Sequence, residues 1–336
     1  METKFKVSVI IPTYNRPDSV LKLLDSLCTQ TLSPQQFEVI VVDDGSTYDE
    51  AVITERPFPF SLQYIRQQNS GATITRNNGA QHSQGEVLVV IDDDVTVAPE
   101  ALQALSELCL REEKVLVMGT LITRSVVEPP PPFIVCALGA INKRPHAGSQ
   151  DQQDREVHFS WANTQLLAVK RADFYELGML QDPTGGWPNW DDVDFGYRAH
   201  LAGFRLLQSG QATGYHWDNS LRDLESTCNR WQRACKSAVR LFEVHPGLIP
   251  HLPMLHDKMP INWSQDSANM VARKLLRRVL ALGPAVWLLQ KMAQQLERGY
   301  PARKKWLCWL YLLIQGSYMS RGYREGLRVR TAGGAK

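Results

Sequence analysis

Residues 7–24 read VSVIIPTYNRPDSVLKLL, and the two halves of this stretch follow different periods. Val7–Ile11 is an almost unbroken apolar run rich in β-branched residues, which suits a strand covered on both faces. From Pro17 onward Val20, Leu21, Leu24 and Leu27 recur at helical spacing. Pro17 stands at the helix start, where its missing N–H costs little. The same alternation repeats outward from here. Phe37–Val42, Leu62–Ile65, Glu86–Ile91 and Val115–Met118 read as strands; helices are expected from about Ala72 and over Pro99–Leu110. Strands alternating with helices imply right-handed crossovers and an α/β domain whose central sheet is mainly parallel and flanked by helices. Ligands of such sheets bind beyond the carboxyl ends of the strands. Three polar groups stand at such ends: Thr13–Arg16, Asp43–Asp44 and Asp92–Asp94.

Beyond residue 128 the pattern loosens. Pro129–Pro132 reads as a rigid extended segment, Asn142–Glu156 as a mobile loop, and His158–Val169 as strands. A helix follows over Ala172–Leu177, another over Asp192–Leu201, then a strand at Phe204–Leu207. The chain is 43% hydrophobic and 21% charged over 336 residues, an ordinary globular profile. Its net charge of +2 conceals an asymmetry: residues 1–270 hold 23 Lys and Arg against 33 Asp and Glu, residues 271–336 hold 14 against 2. Nothing at the N-terminus resembles a signal peptide. Cys28, Cys109, Cys136, Cys228, Cys235 and Cys308 show no paired spacing and read as reduced thiols of a cytoplasmic protein.

The basic tail interleaves Leu275, Leu276, Val279 and Leu280 with Arg273, Lys274, Arg277 and Arg278, and later sets Arg303–Lys305 before WLCWLYLLI. Neither apolar run reaches the ~20 residues of a spanning helix. Residues 271–330 therefore suit a helical extension lying on an anionic membrane, peripheral on its inner face. A helical subdomain packed on the body, or a homodimer contact, fits the same pattern. Nucleic acid is not expected as a partner, since no nucleic-acid motif is present.

Two carboxylate clusters carry the chemistry. Asp92–Asp93–Asp94 follow a strand, and three adjacent acids repel one another unless something positive neutralises them. Mg²⁺ or Mn²⁺ needs only one or two carboxylates when a diphosphate supplies further oxygens. Asp191, Asp192 and Asp194 form the second cluster, at a helix start where the dipole also favours acids.

In order along residues 5–220, the segments VSVIIPTYNRP (7–17), FEVIVVDDGST (37–47), QNSGATITRNNGA (68–80), VLVVIDDDVTVAPEAL (87–102) and WDDVDFGYRAHLAGFR (190–205) resemble the family 2 glycosyltransferases of the GT-A, Rossmann-like fold. The resemblance implies a catalytic domain over 1–225, with a nucleotide-binding half (1–120) and an acceptor-binding half (121–225), followed by a helical, basic region at 226–336. It implies an inverting, metal-dependent transfer of a sugar from a nucleotide-diphosphate donor to an acceptor hydroxyl in cell-surface polysaccharide or glycolipid synthesis. Uridine is the commonest donor base in the family, so UDP is expected first. Pro12, Thr13, Tyr14, Asn15, Arg16 and Asp44 would hold the nucleoside. Arg76, on the helix after Gly71, would face the diphosphate, a role suited to a guanidinium. Asp94 would be the main metal ligand, with Asp92 and Asp93 near the ribose and the metal shell and His216 completing it. Asp192 would be the base that takes the acceptor's proton, with Asp191 the alternative, because the family's usual Glu-Asp is Asp-Asp here. A sugar nucleotidyltransferase would carry a glycine-rich, lysine-bearing loop where this chain has TYNRP. A catalytically silent nucleotide-sugar-binding protein would have lost one of the acidic clusters, and both are present.

Overall fold

A computed structural model describes residues 5–143, 153–184, 190–218, 220–300 and 304–333. The strands in chain order are β1 (Phe5–Thr13), β2 (Phe37–Asp43), β3 (Ser61–Arg66), β4 (Gly85–Ile91), β5 (Val95–Val97), β6 (Val115–Arg124), β7 (Arg155–Val157), β8 (Leu166–Lys170) and β9 (Arg205–Trp217). The helices are α1 (Pro17–Leu27), α2 (Ala51–Thr54), α3 (Ala72–His82), α4 (Ala101–Arg111), α5 (Pro132–Ile141) and α6 (Arg171–Glu176). They continue with α7 (Asp191–Leu201), α8 (Leu224–Val244), α9 (Pro253–His256), α10 (Ala268–Leu280), α11 (Gly283–Glu297) and α12 (Lys304–Gly333).

The chain forms two compact units. One holds 1–124, 142–182 and 191–217; the other holds 125–141, 183–190 and 218–336. The units differ from a single boundary at residue 225, because 125–141 and 183–190 group with the C-terminal helices.

The first unit is a sheet of order β3-β2-β1-β4-β8-β6-β9-β5, with β7 on β9. β3, β2, β1 and β4 run parallel, as the βαβ alternation requires. β8 enters antiparallel to β4 and β6, and β5 antiparallel to β9. The unbroken apolar runs follow from burial on both faces. In β1, Val7, Val9 and Ile11 join one core with Leu23 and Leu24 of α1, while Ile10 joins the opposite core with Phe174 and Phe195. Replacing Leu24, which is fully buried, by Ala would cost about 2–5 kcal/mol. Pro12, which has no N–H to give, lies beyond the last β1–β4 pair (Ile10 with Val90), although the β1–β2 ladder continues to Thr13 and Asp43.

Two stretches differ from the periodicity reading. Residues 158–169 hold a short 3₁₀ turn (Phe159–Trp161) before β8 rather than continuous strand. The strand expected at Phe204–Leu207 continues to Trp217, because its second half pairs with β5 and with the end of β6. The loop expected at 142–156 lies largely outside the described residues, and its end forms β7.

The C-terminal unit has its own core, in which Phe133 and Ile134 of α5 pack with Leu289 of α11 and Leu307, Tyr311 and Ile314 of α12. Here the reading of six reduced thiols is corrected: Cys136 of α5 and Cys308 of α12 form a disulfide, with Cα atoms 5.3 Å apart. The two lie 172 residues apart in sequence, so no local spacing could announce the pair; helix packing creates it. Cys28, Cys109, Cys228 and Cys235 are free. Among the described residues, no helix is long and apolar enough to cross a membrane.

Candidate active site

The polar strand ends of the first unit converge as the sheet topology requires. β1 ends at Thr13, and the following turn is held in a left-handed conformation at Asn15 (φ 53°). Asn15 tolerates this because its side chain bonds locally: its Oδ1 accepts from the Thr47 N–H at 2.8 Å, and its own N–H donates to Ser46 Oγ at 2.7 Å. The turn after β1 is thereby tied to the loop after β2. Tyr14 is exposed beside it.

Asp43 and Asp44 have separate roles. Asp43 is fully buried and accepts from Ser46 N–H (2.9 Å), Tyr64 Oη (2.6 Å) and Arg66 Nε (2.9 Å), as well as from the Ser46 hydroxyl. Burial would raise its pKa, but these donors outweigh it and hold the carboxyl below its usual range. Asp44 accepts from Gln67 Nε2 (2.8 Å) and the N–H groups of Ser70 (2.8 Å) and Gly71 (2.9 Å). It thus anchors the loop that opens α3. Gly71, at φ 88°, is the residue that turns the chain into that helix.

Arg76 on α3 is buried, and its guanidinium joins the two acidic clusters. It donates to Asp92 Oδ1 at 2.7 Å and to Asp191 Oδ2 at 3.2 Å, while Nε has no partner among the described residues. Burial would lower its pKa; the Asp92 and Asp191 charges outweigh that and raise it. Thr73, one turn earlier, donates to the same Asp191 oxygen at 3.2 Å.

Asp93 is buried, accepting from Thr13 Oγ1 at 2.8 Å and Arg16 Nη1 at 3.0 Å. Burial pushes it up to about 6 against the pull of Arg16. Asp94 meets Arg16 Nη1 at 3.2 Å and His216 Nε2 at 3.4 Å. Burial is again the largest influence, but His216 and Arg16 reverse it and lower the Asp94 pKa. The position of His216 follows from the sheet: Val95 pairs with His216 in the β5–β9 ladder, and the Trp217 N–H donates to the Asp94 carbonyl at 2.8 Å. Gln165 Nε2 lies 3.3 Å from His216 Nε2.

In the second cluster, Asp191 is directed at Arg76 and Thr73 rather than at capping α7. Asp194 is buried against Arg198 Nε at 2.7 Å, and Arg198 in turn donates to the Leu177 and Met179 carbonyls. Asp192 is partly exposed and accepts the Val193 N–H at 2.8 Å. Surrounding protein pushes it up to about 7, with the Asp191 carboxylate as the second cause. Of the aromatic pair before this cluster, Trp187 lies outside the described residues. Trp190 is buried, donating from Nε1 to the Ala234 carbonyl at 2.8 Å.

The structure thus brings Thr13, Arg16, Asp93, Asp94 and His216 into one connected group, and Arg76, Asp92 and Asp191 into another. Thr73, Gln165 and the Asp43–Tyr64–Arg66 set were not singled out by sequence. Their contacts come from pairings across the sheet that no local motif reports.

Residues 8–168 match the model of Glycosyl transferase family 2. A validoxylamine A glucosyltransferase of Streptomyces hygroscopicus subsp. limoneus is 28% identical over 268 residues, which is 73% of this chain and 58% of that protein. Among solved structures, GalNAc-T7 with UDP, GalNAc and Mn²⁺ superposes with a TM-score of 0.54 at 16% identity, covering 90% of this chain and 59% of that one. S. aureus TarS superposes at 0.50 and 19% identity, covering 78% and 46%. The chain spans less than two thirds of the length of each.

Proposed function

We propose, from a chain whose residues 8–168 match the model of Glycosyl transferase family 2 and whose fold superposes on GalNAc-T7, that the protein transfers a sugar from a nucleoside-diphosphate donor to an acceptor hydroxyl. The observation that carries this reading is the single buried guanidinium of Arg76 joining the acids at the end of β4 to those at the start of α7. It ties a donor-side cluster to an acceptor-side carboxylate.

In this reading Asp192 is the base. A carboxylate whose proton affinity is raised toward neutrality can take a proton from an attacking hydroxyl, and Asp192 is the member of its cluster that keeps an exposed edge. The acceptor oxygen forms its bond to the anomeric carbon as the bond to the diphosphate breaks, with inversion, and the hydroxyl proton passes to Asp192. Arg76 holds Asp191 in place beside it. Thr13–Arg16 and the Asp44-anchored loop shape the nucleoside end, and to the half-exposed Arg16 guanidinium we assign the phosphate oxygens.

The donor set suits a divalent cation. Asp94 Oδ1 and His216 Nε2 lie 3.4 Å apart, close to the ~3 Å that separates neighbouring ligands on an octahedral ion with bonds of about 2.1 Å. Among the described residues no three such ligands gather in one place, and Asp92, on the same turn, is taken up by Arg76. Asp94 and His216 alone would hold the ion, and Mg²⁺ or Mn²⁺ bound through few protein ligands takes its remaining oxygens from phosphate and water. When bound, such an ion neutralises charge on the departing diphosphate. UDP with Mn²⁺, the pair named with the structural neighbour GalNAc-T7, is the first to test. The acceptor class we favour is a glycan or a lipid-linked glycan.

The experiment is thermal unfolding with UDP, GDP and TDP, each with and without Mn²⁺, followed by turnover of the stabilising nucleotide's sugars. A metal-dependent rise with one diphosphate and release of that diphosphate on adding acceptor are expected. No rise with any of them would overturn the reading. A rise without turnover under any acceptor would leave a silent nucleotide-sugar binder.

A further inference from the structure

Three helices of the C-terminal unit, α10, α11 and α12, carry apolar residues on an outward face. The inner face builds the core, through Leu289 of α11 and Leu307 and Leu310 of α12. The outer one is open. On α10, Leu276 and Val279 are 56% and 57% exposed, on α11 Trp287 and Leu288 are 60% and 55% exposed, and on α12 Trp306 and Trp309 are 68% and 57% exposed. A helix at an ordinary protein surface has one apolar stripe, and it faces inward. Several helices that also turn tryptophan and leucine outward mark a surface that meets something apolar.

The same helices concentrate positive charge. Lys274 and Arg278 of α10 and Arg324 of α12 line, with Lys258, a cavity of about 280 Å³ in which Asp257 is the sole lining acid. Lys258 and Lys274 have partners in Asp257 and Asp266, whereas Arg278 and Arg324 have no carboxylate partner among the described residues. Burial and the neighbouring Arg328, Arg278 and Arg321 guanidiniums push Arg324 below the usual arginine value against the opposite pull of Glu325. Four cations thus share one lining acid, an excess of positive charge that an external anion would relieve.

We propose that the outer faces of α10, α11 and α12 seat this unit in the interface of an anionic phospholipid bilayer. Tryptophan and leucine side chains enter the acyl boundary, and the arginines meet headgroup phosphates. The inference is independent of the transferase reading. A second protein copy would cover the apolar faces but would bring the same excess of cations with it; a bilayer of anionic lipid satisfies both features.

The test uses the full chain, sedimented with phosphatidylcholine vesicles or with the same vesicles containing phosphatidylglycerol. Partition onto the anionic vesicles is expected to be at least about tenfold stronger, and to weaken with salt. The double variant Trp306→Ser, Trp309→Ser should lose about tenfold in partition with an unchanged melting temperature. Arg278→Glu should weaken binding to anionic vesicles alone. Where a variant folds poorly, quenching of the unaltered protein's tryptophan fluorescence by brominated lipid gives the same information. Equal partition onto both vesicles, no partition, or no quenching would overturn the proposal. So would a dimer in light scattering that the tryptophan variants convert to monomer, which would assign the face to self-association.

Discussion

The acids after β4 and those opening α7 are two clusters of the same size with different neutralisation. In the first, every carboxylate has a cationic neighbour: Asp92 has Arg76, Asp93 has Arg16, and Asp94 has Arg16, with the His216 ring beside it. In the second, Asp191 shares Arg76 and Asp194 has Arg198, while Asp192 has a backbone N–H and no ion pair among the described residues. Asp93 also rises, to about 6 by burial, but it is held between Thr13 and Arg16. Asp192 rises further and stays partly exposed. The difference teaches that acids are concentrated here by supplying partners to all but one. The one left without an ion pair is the one whose proton affinity moves into the range of base chemistry.

The largest effect should come from removing that exception. Asp192→Asn is expected to lower turnover by about 10²–10⁴-fold while leaving the nucleotide-induced thermal shift in place. Transfer rates and thermal shifts on the same preparation check it. Retained turnover would move the base to Asp191 or elsewhere and dissolve the contrast.

Next is the link itself. Arg76→Met would leave Asp92 and Asp191 facing each other without their shared cation. Breaking a buried pair from one side costs about 3–5 kcal/mol, and urea unfolding of the nucleotide-free protein should show a loss of that order. A loss below about 1 kcal/mol, the range of an exposed pair, would mean that the two clusters do not depend on one another.

How much of this was legible differs between the clusters for physical reasons. The β-branched runs before Thr13, Asp43 and Asp92 revealed the strands, and strand ends in a parallel sheet necessarily share an edge; that much follows from periodicity. The partners did not. Arg16 reaches Asp93 across 77 residues, and His216 reaches Asp94 because β5 pairs antiparallel with a strand that begins at Arg205. Asp44 gave no sign in sequence that loop donors at 67, 70 and 71 would fill its carboxylate. The Cys136–Cys308 bridge was misread for the same reason, since helix packing far along the chain brings the two sulfurs together. In the C-terminal unit periodicity identified helices but not which of two apolar faces would point outward.

The first cluster is sharpened by Asp94→Asn. If Asp94 and His216 hold the cation, the metal-dependent part of the UDP shift should weaken by about 10–100-fold in apparent metal affinity. The metal-independent part should persist. Manganese titrations followed by thermal shift separate the two, and an unchanged manganese dependence would remove Asp94 from the proposed metal site while leaving its contact with Arg16.

The smallest expected effect tests the contrast without any substrate. A carboxyl whose folded pKa is raised binds its proton more tightly folded than unfolded, so stability falls as pH rises from the ordinary carboxylate range toward about 7, then levels off. Asparagine at 192 carries no charge and lacks that decline. The stability of Asp192→Asn relative to the unaltered protein should therefore grow between about pH 4 and pH 7, by on the order of 1 kcal/mol. Urea unfolding at several pH values measures it. The same substitution at Asp194 should instead lose stability, because it breaks the buried contact with Arg198. Parallel pH curves for the two variants would show that the acids opening α7 are not divided as their partners suggest. Diverging curves would locate the division at the single residue that lacks an ion pair.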